Sequence, residues 1–138
     1  MIKITIDDRD VQKMLRELAG RVKDRRPLMQ ELAGIMKDAV DENFEAEGRP
    51  KWKPSKRAQK QGGKTLQDTG SLATSISSKY DNNSAQVGTN KKYAAIHHFG
   101  GKAGRGKKVT IPARPFLKLT DSDLEEIKEA VKEYLKPR

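Results

Sequence analysis

Apolar and polar positions alternate from Ile2 to Ile6, and this two-residue period predicts a short strand over residues 2–6. From Val11 the period lengthens. Val11, Leu15, Leu18 and Val22, with Met14 beside them, share one face of a helix that Asp7 or Asp8 can cap. The charged run Lys23-Asp24-Arg25-Arg26 and then Pro27 end it. Pro27 suits the first turn of a second helix, where its missing N–H would have no partner in any case. Leu28, Leu32, Ile35, Met36, Ala39, Val40 and Phe44 form the apolar stripe of that helix, and Glu47-Gly48 closes it. The two helices read as an antiparallel pair.

The periodicity then stops. Residues 48–66 read as a loop, because Pro50 and Pro54 block regular structure and Gly62-Gly63 loosens the chain. The single tryptophan, Trp52, lies in this loop and is expected to pin it to the core rather than to stack on a base. Asp68 is positioned to cap a short helix containing Leu72 and Ile76. Ile76–Tyr80 and Ala85–Val87 read as strands joined by the turn Asp81-Asn82-Asn83, a β-hairpin. Lys108–Ile111 reads as a further strand that Pro112 stops and that runs back along the hairpin. In TDSDLEEIKEAVKEYL, Leu124, Ile127, Val131, Tyr134 and Leu135 mark a closing helix, with Ser122 and Glu125 as its capping box. The sum is an α+β domain over residues 1–138: a helix pair, a small mainly antiparallel sheet with a hairpin, and a C-terminal helix. No internal repeat is present.

Composition changes this picture in one respect. Only 34% of residues are apolar and the mean hydropathy is −0.87, so not every segment can enter the core; either parts of the chain are mobile or partner subunits order them. The chain has no cysteine, which excludes disulfides and thiolate chemistry. The opening MIKITIDDRD lacks the apolar run of a signal peptide, and no stretch approaches a membrane span, so a soluble protein is expected.

Charge is unevenly placed. Of a net +10, residues 48–67 hold seven basic and no acidic side chains, and residues 82–120 hold eight basic and none acidic. The helical segments are slightly acidic. Such segregation fits contact with a polyanion such as nucleic acid, or two solvated loops that keep the protein soluble.

The candidate chemistry is mostly excluded. Gly101 to Lys107 spells G-x-x-x-x-G-K, but Lys108 stands where a phosphate loop needs Ser or Thr, and a strand and proline follow instead of a helix. His97 and His98 point to opposite faces of a strand or diverge by about 100° on a helix, and no Asp or Glu lies between Asp81 and Asp121. One imidazole is expected buried and hydrogen-bonded, the other exposed. No G-x-S-x-G elbow occurs, and the carboxylates cluster with lysines on helices. No catalytic residue, metal or cofactor is expected. What remains is mechanical: a flexible basic tip at Gly100–Gly106 on a base stiffened by Pro112 and Pro115, suited to insertion into a partner subunit or against DNA.

The order of motifs resembles a known family. Gly48, Pro50 and Trp52 form G-x-P-x-W; then come L-x-D-T-G-x-L from Leu66 to Leu72, VGTN from Val87, YAAIHHFGG from Tyr93 and IPARPFL from Ile111. Over roughly residues 28–135 the chain looks like the phage virion morphogenesis family, the tail-completion proteins of Mu-like and P2-like phages and prophages. His98 stands where that family often has Gln, a departure that makes a metal role for the pair less plausible still.

The resemblance implies a non-enzymatic structural protein with a phage tail or neck protein fold, acting in tail completion or head–tail joining. It implies a ring, commonly hexameric, around the DNA path, with neighbouring tail or neck proteins as partners and weak, non-specific DNA contacts. It also implies assembly in the bacterial cytoplasm and a place in the virion, with no membrane partner. On this reading Arg49, Lys51, Lys53, Lys56, Arg57, Lys60, Lys64, Lys102, Arg105, Lys107 and Lys108 face the DNA path or a neighbouring subunit. Trp52, Tyr93, His97, Phe99, Gly100, Gly101, Pro112, Arg114, Pro115 and Phe116 are motif anchors, with Arg114 expected to pair with an acidic helix of its own or a neighbouring subunit. A stand-alone nucleic-acid-binding module is the competing reading. A hydrolase using His97 or His98 is the third.

Overall fold

A computed structural model describes residues 2–3, 6, 8–66, 70–104, 106 and 109–136, the first two as backbone only. Helix α1 spans Arg9–Arg21, and its start is set by the Asp8 carboxylate, which accepts from the Val11 N–H at 3.0 Å. Helix α2 spans Arg26–Glu45 with Pro27 in its first turn. Helix α6 spans Asp121–Leu135. It packs against both α1 and α2. Its capping box lies two residues upstream of the expected one. Thr120 accepts from the Asp123 N–H at 3.2 Å, and the Asp123 carboxylate accepts from the Thr120 N–H at 2.8 Å.

The expected hairpin is present as β2, Ser77–Tyr80, and β3, Ala85–Thr89, with Tyr80 opposite Ala85. Strand β1, Ile2–Lys3, joins the other edge of β3, so a three-stranded antiparallel sheet runs in the order β1-β3-β2. Helix α2 lies against β2 and β3. The hairpin tip clasps the α1–α2 corner: Asn82 accepts from the Arg25 N–H at 2.7 Å and donates to the Lys23 carbonyl at 2.9 Å. Leu18, Leu28, Leu32, Met36, Val40, Val87, Phe116, Ile127 and Val131 form the heart of the core. The fold is α+β.

Three expectations are corrected. Residues 48–66 are not all loop: Ser55 accepts from the Ala58 N–H at 3.1 Å and starts a short helix, α3, over Lys56–Gln61, which Gly62 closes. Helix α4 occupies only Ser71–Thr74, and its expected cap, Asp68, lies outside the described residues. The strand after the glycine-rich tip does not run along the hairpin. It is β5, Val109–Ile111, and it pairs with β4, Gly101–Ala103, as a separate two-stranded ribbon. Local alternation can signal a strand but not its partner.

Candidate functional site

The two basic segments converge on a shared base. At the end of α2, Glu47 and Gly48 take positive φ, and the Gly48 N–H reaches back to the Asn43 carbonyl at 2.7 Å. A Cβ on Gly48 would stand 2.6 Å from both the Pro50 carbonyl oxygen and the Trp52 ring, so only glycine permits this turn. Trp52 is thereby folded inward and buried. Its ring meets Phe44 edge-on at 6.0 Å, and Phe44 in turn packs on Phe116 at 5.2 Å. The G-x-P-x-W and I-P-A-R-P-F-L segments therefore meet across one residue of α2.

Arg49 belongs to this base and not to the exposed basic surface. Its Nε donates to Asn43 at 2.7 Å, and its Nη atoms donate to Glu42, to the Ala39 carbonyl and to Asp123. Asn43 donates to the carbonyls of Phe116 at 2.7 Å and Lys118 at 2.9 Å. Buried Asp123 completes the network between α2 and α6. The expectation that Arg49 faces DNA or a neighbour gives way here, because four residues of its own chain accept from its guanidinium. Asn43 and Asp123 were not foreseen. A signal existed for Asn43: it falls on the apolar stripe of α2, between Val40 and Phe44, where a polar side chain needs partners.

Beyond Trp52 the first segment folds back on itself. The Ser55 N–H donates to Thr65, the Thr65 N–H donates to Glu47, and Arg57 donates to the Lys64 carbonyl. Lys64 pairs with Glu45. Lys51, Lys53, Lys56 and Lys60 remain exposed.

The second segment starts with helix α5, Ala94–Phe99. Gly100 ends it at φ 75°, and a Cβ there would lie 2.7 Å from the Ala113 nitrogen and 2.9 Å from the Ile111 oxygen. The ribbon β4–β5 then carries exposed Lys102 and Val109; Arg105, Lys107 and Lys108 lie outside the described residues. Gly101 sits at φ 147° at the root of the ribbon, and Pro112 and Pro115 are half-buried where the chain re-enters the core. Two expected anchors are largely exposed, Tyr93 at 43% and Phe99 at 69%, although Tyr93 meets the His97 ring edge-on at 6.0 Å and Phe99 meets the His98 ring edge-on at 4.6 Å. On a six-residue helix that turns about 100° per residue, Ala94 takes the inward position and Phe99 faces solvent.

Arg114 links the two segments. Its N–H donates to the His97 carbonyl, and its Nε donates to the Lys53 carbonyl, each at 2.8 Å. With Tyr93, His97, Ser55, Arg57, Leu66, Gly70, Ser71 and Leu72 it lines a cleft of about 320 Å³. The histidines do not divide into one buried and one exposed: both are half-buried. His98 accepts from the Leu117 N–H at 3.3 Å and stacks edge-on against Phe116, while His97 keeps a buried Nδ1 that has no hydrogen-bond partner among the described residues. Burial pushes the pKa of His97 down, helped by the Arg114 charge, and burial does the same to His98. Burial also lowers the Arg114 pKa. Among the described residues Arg114 has no carboxylate partner of its own chain; Asp68, between the lining residues Leu66 and Gly70, lies outside them.

Among the described residues no group of three His, Asp or Glu side chains is placed to hold a metal, and no helix is long and apolar enough to cross a membrane.

Comparison with known proteins places this architecture. A 135-residue alignment shows 52% identity to Mu-like prophage FluMu G protein 2 of Haemophilus influenzae, covering 97% of this chain and 96% of that protein. Putative capsid assembly protein G of Escherichia phage Mu is 30% identical over 144 residues, covering 95% and 92%. Mu-like prophage FluMu G protein 1 of H. influenzae is 31% identical over 139 residues, covering 92% and 90%. No solved structure matches. The model of the phage virion morphogenesis family matches residues 6–136, and with these relatives it establishes that the chain belongs to that family.

Proposed function

We propose that this chain is a structural part of a phage or prophage virion that completes the tail or joins it to the head, working as an oligomeric ring around the DNA path. The observation that carries the reading is Arg114, which ties two acid-free segments into one unit beside a cleft of its own. Lys51, Lys53, Lys56, Lys60 and Lys102 stay in solvent, and so do Phe99 and Val109, large apolar side chains of the kind that subunit contacts cover. The relative in phage Mu is named for capsid assembly and the family for virion morphogenesis; a junction protein suits both. Contacts to DNA in such a ring are made to phosphates, weakly and without sequence preference. No catalytic step is assigned to His97 or His98.

Mass measurement over a concentration series, with electron microscopy of the largest species, tests the reading. Closed rings of uniform subunit number are expected. A chain that remains monomeric and binds short duplexes tightly at physiological salt would instead be a stand-alone nucleic-acid-binding module.

A further inference from the structure

Strand β2 is an edge with an open outer side. The Asp81 N–H donates to the Ser84 carbonyl at 2.9 Å, which puts a ladder bond between positions 81 and 84. Alternation along the antiparallel ladder then makes 79–86 and 77–88 the bonded pairs, and 80–85 and 78–87 the open ones. Ser78 and Tyr80 therefore turn their N–H and C=O groups away from β3. No described residue meets those groups, and all of Ser77–Tyr80 is exposed.

The ribbon has the matching shortage. Strands β4 and β5 form a sheet of two strands only, which is marginal without a third strand or a packed face. An open pair is flanked by ladder bonds, so Gly101–Ile111 is not one: beyond it Pro112 lacks an N–H, and the Gly100 N–H is used on the Ile96 carbonyl. Gly101–Ile111 and Ala103–Val109 are thus the bonded pairs, and Thr110 between them turns its N–H and C=O outward. Val109 and Thr110 are exposed, and Val109-Thr110-Ile111 is an unbroken β-branched run, the composition that suits a sheet.

We infer that β5 of one copy adds antiparallel to the β2 edge of a second copy, so that the two-stranded and three-stranded sheets become one across the subunit boundary. One register fits. With Thr110 opposite Ser78, Pro112 falls opposite Ile76, whose own N–H is already held by the Ala73 carbonyl, so both strands stop bonding at the same point. Sliding Thr110 to Tyr80 would set Pro112 against Ser78 and leave the Ser78 carbonyl without a donor. In the fitting register Val109 lies opposite Lys79, whose aliphatic stem covers it. A second β2 suits the edge less well, because the register that uses Ser78 and Tyr80 of both copies sets Lys79 against Lys79. Ribbon against edge is a head-to-tail contact, the kind that closes into rings. The inference rests on the ring reading above.

The chain has no cysteine, so an introduced disulfide can report the pairing. Residues opposite each other in a bonded antiparallel pair have Cα atoms about 5.5 Å apart, within reach of a disulfide. Ser78→Cys and Thr110→Cys chains are mixed in equal amounts where the wild type assembles, and oxidised with glutathione disulfide. Mass spectrometry should find the peptides containing positions 78 and 110 linked to each other in preference to links of either peptide with itself. Ser78→Pro removes only an outward N–H and leaves the β2–β3 bonds in place. With folding checked by circular dichroism, its half-assembly concentration should rise about 10-fold or more over the wild type. An assembling mixture without the 78–110 link would overturn the pairing. So would a dominant 78–78 link, which assigns the edge to a second β2, or unchanged assembly of a folded Ser78→Pro chain. If Ser78→Pro does not fold, the disulfide alone decides. A wild-type chain that never assembles defeats the ring reading itself; one that assembles while both variant results are negative defeats only the strand pairing.

Discussion

Arg49 and Asp123 lie 74 positions apart in the chain, and their Nη2 and Oδ2 atoms are 3.0 Å apart in the fold. The bond joins the start of the first basic segment to the first turn of the last helix. Asp123 also caps that helix, so one carboxylate serves a long-range pair and a local one. Either Arg49→Ala or Asp123→Ala leaves the opposite charge poorly compensated inside the protein. Urea denaturation should show roughly 3 kcal/mol of lost stability for each. The double variant should lose less than the two losses added together, because the partners share one interaction. Strict additivity would remove the network from the account of how the segment is held.

Gly62 and Gly100 have nearly the same backbone, φ 76° and ψ −175° against φ 75° and ψ 178°. Their surroundings differ. Space around Gly62 is open, whereas the Ala113 nitrogen lies 2.7 Å from where a Cβ on Gly100 would be. Alanine at either position carries backbone strain of about 1–3 kcal/mol. Only Gly100→Ala adds a collision with backbone, so its melting temperature should fall clearly below that of Gly62→Ala. Equal losses would mean that the close approach of α5 to the Ile111–Ala113 segment is unimportant.

Phe116 and Phe99 separate folding from assembly. Phe116 is fully buried between Phe44 and His98, and its truncation to alanine should cost about 3–5 kcal/mol. Phe99 is 69% exposed. Phe99→Ala should change monomer stability by less than about 0.5 kcal/mol, as surface substitutions do. If Phe99 is covered by a neighbour, as the ring reading holds, the same change weakens self-association by ultracentrifugation. Loss of stability without loss of association would assign Phe99 to the fold of a single chain.

Acid should weaken the fold through the two histidines. Burial holds both pKa values below the ordinary 6.5, so as pH falls the unfolded chain takes up these protons before the folded chain does. Their contribution is fully present above about pH 6.5 and declines as pH drops from there through the folded-state values. Melting curves at pH 7 and pH 5 should differ more for the wild type than for a His97→Gln, His98→Gln double variant. An equal pH difference in both chains would sink this assignment.

Much of the fold was legible in the residues alone. Helices α1, α2 and α6, the β2–β3 hairpin and the inward fate of Trp52 follow from spacing, Pro27, Asp8 and the Asp81-Asn82-Asn83 turn. Each of these signals acts within a few residues of itself: a helix needs its stripe every three or four positions and its cap at one end. The motif segments were legible as well, and they pointed to the family that the comparisons establish. What spacing could not supply was the partner of each group. It put the capping box on Ser122 and Glu125 when Thr120 and Asp123 hold it, because Asp123 is also claimed by Arg49 from the far end of α2. It counted Arg49 among the cations that face DNA or a neighbour, and it laid β5 along the wrong hairpin. Hydrogen bonds and ion pairs are satisfied in space, and the residues that satisfy them here lie up to 110 positions away, a distance across which no periodic pattern carries information.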